Sequence, residues 1–295
     1  MKRVILTGSS GFVGSRFLRD FKDHFEMVPI SLRTTPPSEI DIQNGDSIVH
    51  CAALVHQMNP PPEENYFHVN RDLTLELAQA AKAKGAKHFL FLSTSHVFGD
   101  SGTIADHNTS LTPETPCHPT DPYGRSKLAA EEELLKLADS HFTVSILRPP
   151  MVYGEGAKGN IRSLVKLVQK IPVLPLGFQH NRRSLIYVGN LCAFMVWVLE
   201  NGNGSQIYLP QDEKPLSISE LTSKIGQALE KQPTLIPIPR FLIFAFHLLN
   251  KKQTVRLFGT LALASNSTES QDSKKFTPPY STQEGLNRMI SEMKS

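Results

Sequence analysis

The sequence predicts an α/β fold, a doubly wound parallel sheet followed by a smaller C-terminal domain. Three observations predict it. Short apolar runs alternate with helix-period segments over the first 150 residues. A glycine-rich turn joins the first such pair, at Gly8, Gly11 and Gly14. The alternation stops after Pro149-Pro150, where Gly and Pro become frequent. Alternation of this kind places helices on both faces of a parallel sheet, because each crossover passes over one face.

The elements follow in order. Val4-Ile5-Leu6 reads as a buried strand. Phe12 to Phe25 carries apolar residues at helical spacing: Phe12, Val13, Phe17, Leu18, Phe21 and Phe25. Met27 to Leu32 is a second strand, broken by Thr34–Pro37. Ser47 to Ala53 is a third, preceded by Asn44-Gly45-Asp46. The stretch from Arg33 to Ser47 leaves little room for a helix between these two strands. Tyr66 to Lys84 is a long helix ended by Gly85. His88 to Thr94 is the next strand. Asp121 caps a helix with Pro122 at its first position, running to about Ser140, and Thr143 to Leu147 is a further strand. Later elements are short and punctuated by Pro210, Pro215, Pro233, Pro237 and Pro239. Residues 264–282 are polar and read as a loop or lid.

Bulk properties narrow the function classes. The chain has 295 residues, 40% of them hydrophobic, enough for a sizeable core. The net charge of +3 is scattered rather than clustered, so no nucleic-acid surface is expected. Cys51, Cys117 and Cys192 lie far apart without metal-ligand spacing, which fits free thiols in a reducing compartment and no metal site. The longest apolar stretch, Phe241 to Leu249, has nine residues, against about 20 for a membrane span. It is expected to pack in the core of the second domain. The apolar run at the N-terminus is too short for a signal peptide, so a cytoplasmic location is expected.

Thr7-Gly8-Ser9-Ser10-Gly11-Phe12-Val13-Gly14 lies between the first strand and the first helix. A dinucleotide pyrophosphate needs backbone N–H groups at close range with a helix N-terminus behind them, and glycine permits that approach. Gly8, Ser10, Gly11, Phe12, Val13 and Gly14 are therefore the expected cradle of a Rossmann-type domain over residues 1–153. Residues 184–205 are expected to return to it, leaving 154–295 mainly as a substrate-binding domain. An acid after the second strand would select NAD by binding its ribose 2′-hydroxyl. The residues there are Ser31-Leu32-Arg33. Arg33 and Ser31 either bind the 2′-phosphate of NADP or stand free on the surface. Asp41, followed by Ile42, is the expected partner of the adenine amino group.

Tyr123-Gly124-Arg125-Ser126-Lys127 opens the Asp121-capped helix. Positions four apart share a helix face, so the phenol and the ammonium point into one cleft. The lysine charge, together with the positive nicotinamide ring, is expected to lower the tyrosine pKa from its ordinary value of about 10. Tyr123 can then exchange a proton with a carbinol oxygen while hydride moves to or from the cofactor. The preceding strand ends in Ser93-Thr94-Ser95, which puts hydroxyls at the crevice where α/β sheets bind ligands.

On these residues the chain resembles the extended short-chain dehydrogenase/reductases of the NAD-dependent epimerase/dehydratase superfamily, from Lys2 to about Leu286. The resemblance implies catalytic roles for Thr94, Tyr123 and Lys127. Val49-His50-Cys51-Ala52-Ala53 resembles the strand beside the cofactor, which implies Ala52 and Ala53 as contacts, and Asn70 falls at the family's active-site asparagine. Leu147-Arg148-Pro149-Pro150-Met151-Val152-Tyr153-Gly154 resembles the segment packing on the nicotinamide, which implies Pro149 and Val152. Asn181-Arg182-Arg183-Ser184 resembles the segment whose arginine grips substrate phosphate, and Arg183 is assigned that role. Thr94, His96 and Asn160 complete the expected substrate contacts. Where dehydratases of the superfamily carry Asp-Glu after the threonine, this chain has Ser95-His96, which disfavours dehydration. His96 lines the crevice or does acid–base work.

The expected activity is reduction of a nucleotide-linked keto-sugar, at C4 of a UDP-linked N-acetylhexosamine derivative, with NADP favoured over NAD as cofactor. The alternatives are a 4-epimerase with tightly bound NAD and a non-catalytic dinucleotide-sensing protein. The expected partners are a nucleotide-sugar substrate and a second copy of the chain.

Overall fold

In a computed structural model of the chain, the described residues are 1–55, 60–99, 110–177, 179–202, 204–239, 243, 247–264 and 275–294. The first half runs β1 (Arg3–Thr7), α1 (Phe12–Phe21), β2 (Glu26–Ile30), β3 (Ser47–His50), α2 (Glu63–Phe67), α3 (Leu73–Ala83), β4 (His88–Leu92), β5 (Ser110–Leu111), α4 (Pro122–Leu137) and β6 (Thr143–Leu147). The second half runs β7 (Met151–Tyr153), α5 (Asn160–Lys170), β8 (Val173–Gly177), β9 (Leu185–Tyr187), α6 (Val188–Asn201), β10 (Gln206–Tyr208), α7 (Ile218–Ala228), β11 (Thr234–Pro237), α8 (Lys251–Phe258), β12 (Ala262–Leu263) and α9 (Thr282–Lys294).

Six strands form a wholly parallel sheet in the order β10-β6-β4-β3-β1-β2. This is the predicted α/β, Rossmann-like architecture. The chain leaves β1 for β2 on one side and comes back to β3 on the other. The carboxyl ends of β1 and β3 therefore part at a topological switch point, the place where such sheets bind ligands. The β2–β3 connection contains one 3₁₀ turn, Pro37–Glu39, and no α-helix among the described residues. That follows from its length.

Alternation along the strands builds two cores. Val4, Leu6, Val49 and Leu90 face one side and pack with Phe17 of α1 and Leu191 and Met195 of α6. Ile5, Ile48, Phe89, Phe91 and Ile146 face the other and pack with Leu77 and Ala81 of α3 and Ala130 and Leu134 of α4. Each large apolar side chain buried in this way contributes about 1.5–3 kcal/mol.

The expected boundaries shift for local reasons. The first helix stops at Phe21, and Phe25 is still buried because the chain turns back beneath it, with the N–H groups of His24 and Phe25 both donating to Phe21 O. The long helix begins at Glu63, and its middle is a π-helical turn, His68–Asp72, between α2 and α3.

Residues 188–208 return to the main sheet, as α6 lies over α1 and β10 pairs with β6. Three further two-stranded parallel pairs, β7–β9, β8–β11 and β5–β12, build the rest. A buried polar seam joins the two parts. Tyr153 Oη donates to Asp212 Oδ2 (2.7 Å), and Asn190 Nδ2 donates to Asp212 Oδ1 (2.7 Å) and Tyr280 O (2.8 Å). Arg16 of α1 reaches Tyr187 Oη (3.2 Å) and Glu155 (3.1 Å).

The apolar stretch expected wholly in the second core does not behave as one unit. Ile243 is buried, whereas Leu248 and Leu249 are 73% and 85% exposed. Residues 241, 242 and 244–246, and 265–274 of the polar stretch, lie outside the described residues. Among the described residues no helix is long and apolar enough to cross a membrane.

Candidate active site

The glycine turn closes over the switch point. Gly8 has φ +73°, and a Cβ there would stand 2.5 Å from Ala52 N, so the turn lies directly on the chain leaving β3. A Cβ on Gly14 would meet Gly8 O at 2.2 Å, so α1 starts in backbone contact with the turn. Gly11 caps α1 without a side-chain hydrogen bond, and no acid stands in its first turn. The helix N-terminus thus presents N–H groups and positive potential with no side-chain anion in place. Ser10 and Gly11 are exposed, Phe12 and Val13 are half-buried, and Ala52 and Ala53 are half-buried across the turn. This cradle fits a dinucleotide pyrophosphate.

The other expected cofactor contacts divide. Ser31 and Arg33 are exposed beyond the carboxyl end of β2, the correct end of the sheet. Asp41 is ion-paired with Arg3 at 3.1 Å, beside the amino end of β1 and opposite the glycine turn. Ile42 is buried in the core with Ile5 and Ile48. The structure therefore does not bring Asp41 and Ile42 to the crevice. The short β2–β3 connection has to descend the full height of the sheet, and it carries them down with it.

Thr94, Tyr123 and Lys127 come together at the carboxyl end of β4. Asp121 accepts from Gly124 N at 2.6 Å, which fixes the first turn of α4 and the Tyr123 position on it. The Tyr123 hydroxyl lies beside the Thr94 side chain. Burial pushes the phenol up to about 12, with the neighbouring Thr94 side chain opposing and the Asp121 charge reinforcing the rise. Within the protein alone, burial outweighs any lowering of Tyr123 by Lys127. Lys127 is itself 1% exposed, donates from Nζ to Leu92 O at 2.8 Å and lies 4.2 Å above the Phe91 ring. Burial pushes its ammonium down to about 7, with the neighbouring Cys51 and Glu131 opposing the fall.

Asn70 sits at the π-helical turn and is fully buried. Its Oδ1 accepts from Leu54 N (2.8 Å), and its Nδ2 donates to Leu54 O (3.0 Å) and Ser126 Oγ (3.0 Å). Ser126 in turn donates to Tyr123 O at 2.9 Å. Asn70 thereby ties the chain beyond β3 to the helix carrying Tyr123 and Lys127. A π-turn that swings one side chain into a site is a recurrent device.

On the substrate side, His96 is 45% exposed, with Nδ1 3.2 Å from Asp121 Oδ2 and its ring edge-on to Tyr123 at 5.9 Å. Pro149 is buried, Val152 is half-buried, and Asn160 is exposed as the first residue of α5. Arg183 donates from one terminal nitrogen to Val255 O (3.1 Å) and Gly259 O (3.3 Å), the carbonyls at the end of α8. Its neighbour Arg182 is exposed and lines a separate cavity of about 780 Å³ between β8 and the start of α7, away from Tyr123.

A cradle that fits a pyrophosphate and a Thr–Tyr–Lys cluster on adjoining strand ends are the parts that a hydride- and proton-transfer site requires. The sequence model of the NAD dependent epimerase/dehydratase family matches residues 4–209, which hold both. The chain belongs to that family. It is a nicotinamide-dinucleotide-dependent enzyme of the sugar-nucleotide epimerase, reductase and dehydratase type. It is similar to the UDP-glucose 4-epimerase of Vibrio cholerae, 33% identical over 97% of this chain and 94% of that one. It is also similar to the N-acetyl-alpha-D-glucosaminyl-diphospho-ditrans,octacis-undecaprenol 4-epimerase of Escherichia coli O157:H7, 29% identical over 97% and 94%. Among solved structures it resembles the Pseudomonas aeruginosa protein RMD complexed with NADPH, with a TM-score of 0.75 and 20% identity over the whole of both chains.

Within this epimerase/dehydratase site, three supporting side chains escaped the sequence reading: His50, Ser126 and Glu131. His50 Nδ1 lies 2.7 Å from Thr7 Oγ1, and its Nε2 lies 2.9 Å from Thr74 Oγ1. Thr74 spends its proton on Asn70 O (2.9 Å), so His50 donates from Nε2 and accepts at Nδ1 from Thr7. This strut links the glycine turn to Asn70. A histidine inside the apolar strand Ser47-Ile48-Val49-His50 was its one visible signal.

Proposed function

We propose that this chain is a 4-epimerase of a diphosphate-linked hexose or N-acetylhexosamine that retains its dinucleotide through turnover. The likeness along nearly the whole chain to two 4-epimerases carries this reading over the keto-sugar reduction favoured by the sequence. The site chemistry agrees with it. Tyr123, beside Thr94, takes the C4 hydroxyl proton as phenolate while hydride leaves C4, and gives it back to the same oxygen once the keto intermediate has turned over. Burial raises the phenol, so this needs the Lys127 ammonium and the positive nicotinamide ring to favour the phenolate. Thr94 orients the C4 oxygen. The dinucleotide, when bound, takes hydride from C4 and returns it. Ser95-His96 supplies no carboxylate pair for dehydration, and His96 lines the crevice. Arg183 meets the substrate diphosphate.

A second reading, reduction of a 4-keto sugar with NADPH, rests on Ser31 and Arg33 at the end of β2, where an acid would select NAD. One experiment separates the two. The purified protein is denatured and the released dinucleotide identified. The native protein is then incubated without cofactor with UDP-glucose, UDP-N-acetylglucosamine and N-acetylglucosaminyl diphosphate polyprenol, and the products are read by NMR. The expected result is bound NAD and appearance of the galacto epimer of one substrate. Cofactor-free protein that consumes NADPH one-for-one with a 4-keto sugar nucleotide, and interconverts none of these, overturns the proposal.

A further inference from the structure

One buried carboxylate on the Tyr123–Lys127 helix binds the strand end beside Thr94 and the first residue after β6. Glu131 follows Lys127 by four residues on α4 and is 1% exposed. Arg148, the first residue after β6, forks onto it. Arg148 Nε donates to both oxygens (3.2 and 3.0 Å), and a terminal nitrogen donates to Oε2 at 2.6 Å. Ser93, next to Thr94, donates to Oε1 in a short hydrogen bond. The guanidinium also lies 4.9 Å over the Phe98 ring and is 4% exposed. The backbone runs in parallel with these bonds: Ser93 N donates to Leu147 O (2.8 Å) and Ser95 N to Pro149 O (2.9 Å), so Thr94 is clamped between them.

We propose that Glu131 is the positioning residue of this site, a single carboxylate that holds the Thr94 strand end, the Tyr123–Lys127 helix and the Pro149 segment in one register. The proposal rests on the reading of Thr94, Tyr123 and Lys127 as the proton-transfer cluster. Removing Glu131 would free Ser93 and leave Arg148 as an uncompensated buried cation near Lys127. The groups facing Lys127 are few. His50 and Cys51 approach from β3 and its end, and Glu131 comes from its own helix. Arg148 acts from β6 through Glu131. Burial pushes His50 down and Cys51 up to about 12, both toward the neutral form, and it also raises Glu131, whose carboxylate is held against that by the Arg148 fork and the Ser93 hydrogen bond. The Glu131 charge favours the lysine ammonium.

The test is Glu131→Gln, compared with Ser93→Ala, in the full chain with its own cofactor. For Glu131→Gln we expect a turnover loss of about 10-fold or more with KM little changed, because register and charge matter in the transition state. The Lys127 ¹⁵Nζ signal, assigned by Lys127→Met, should titrate about one pH unit or more lower, as loss of a neighbouring anion requires. The alkaline limb of turnover should move with it. Ser93→Ala keeps the ion pair, so it should fold even if Glu131→Gln does not, and we expect a loss of about 3–10-fold in turnover at unchanged KM. An unmoved Lys127 titration in folded Glu131→Gln overturns the proposal, as does wild-type turnover in Ser93→Ala. The titration needs no substrate, so a wrong assignment of the reaction is told apart from a wrong role for Glu131.

Discussion

At the scale of single residues, environment has more say than spacing. The i, i+4 relation of Tyr123 and Lys127 is legible in the sequence, and it leads to the expectation of a phenol lowered by a neighbouring ammonium. The folded chain instead buries Lys127 and half-buries Tyr123, and this loss of solvent pushes Tyr123 up to about 12 and Lys127 down to about 7. Burial disfavours whichever form is charged, and it acts on the acid and the base in opposite directions. Tyr123 therefore rests as the phenol, and the epimerase reading requires it to lose that proton before it can accept one from a C4 hydroxyl, with the neighbouring Thr94 as its positioning contact. Tyr123→Phe removes the transferable proton and little else. We expect turnover to fall by about 100-fold or more while dinucleotide affinity stays within about 3-fold. Steady-state assays with a parallel fluorescence titration of the cofactor check this, and near-wild-type turnover would remove Tyr123 from the chemistry.

At the scale of elements, the glycine turn offers the sharpest contrast between a backbone requirement and a steric one. Gly8 and Gly45 both hold positive φ, +73° and +92°. A side chain at Gly45 enters open space, whereas one at Gly8 strikes the backbone of Ala52 at 2.5 Å. Gly45→Ala should cost only the conformational strain, about 1–3 kcal/mol, and leave cofactor binding intact. Gly8→Ala must in addition push the turn off β3, and loss of dinucleotide binding is the expected outcome. Calorimetry and cofactor titration of both variants check the pair, and equal cofactor affinity in the two would contradict it. The turn, its strand and its helix were readable because each obeys a local rule of period, glycine spacing or capping. Asp41 was misplaced for the opposite reason. Its neighbours in sequence fit an adenine contact, but the absence of a β2–β3 helix is a matter of path, and path decides which end of the sheet a loop visits. The π-turn at Asn70 was also hidden, since one extra residue in a helix leaves no mark on the apolar spacing around it. Glu131, Arg148 and Ser93 lie on three different elements, and only the assembled sheet brings them together.

At the scale of the whole molecule, the site is assembled at the expense of stability, and Lys127 measures by how much. A lysine whose folded pKa is depressed from 10.5 to about 7 binds fewer protons in the native state than in the unfolded chain across that interval. Stability must therefore rise with pH from about 7 upward, by up to about 1.4 kcal/mol per unit for one proton. Lys2, lowered by burial, acts in the same sense closer to its own ordinary range. His50 and His88, pushed down by burial to about 3 and about 4, act in the same direction at lower pH, where falling pH through 6.5 charges them only in the unfolded chain. Cys51 and Cys192, raised by burial, reverse the trend above about pH 9, where the unfolded chain loses their protons first. The window from pH 7 to 9 thus belongs chiefly to Lys127. Lys127→Met keeps the length of the side chain and removes the charge. The depression corresponds to roughly 4–5 kcal/mol of charge burial at pH 7. Losing the hydrogen bond to Leu92 and the contact with the Phe91 ring offsets about 1–2 kcal/mol of that gain. We expect the variant to be inactive, to melt several degrees higher than the wild type at pH 7, and to lose most of the wild type's rise in thermal midpoint between pH 7 and 9. Scanning calorimetry across that range checks all of it. A variant that melts lower at pH 7, or keeps the wild-type slope, would mean that Lys127 is not held against its own desolvation and that the site is assembled without this opposing cost.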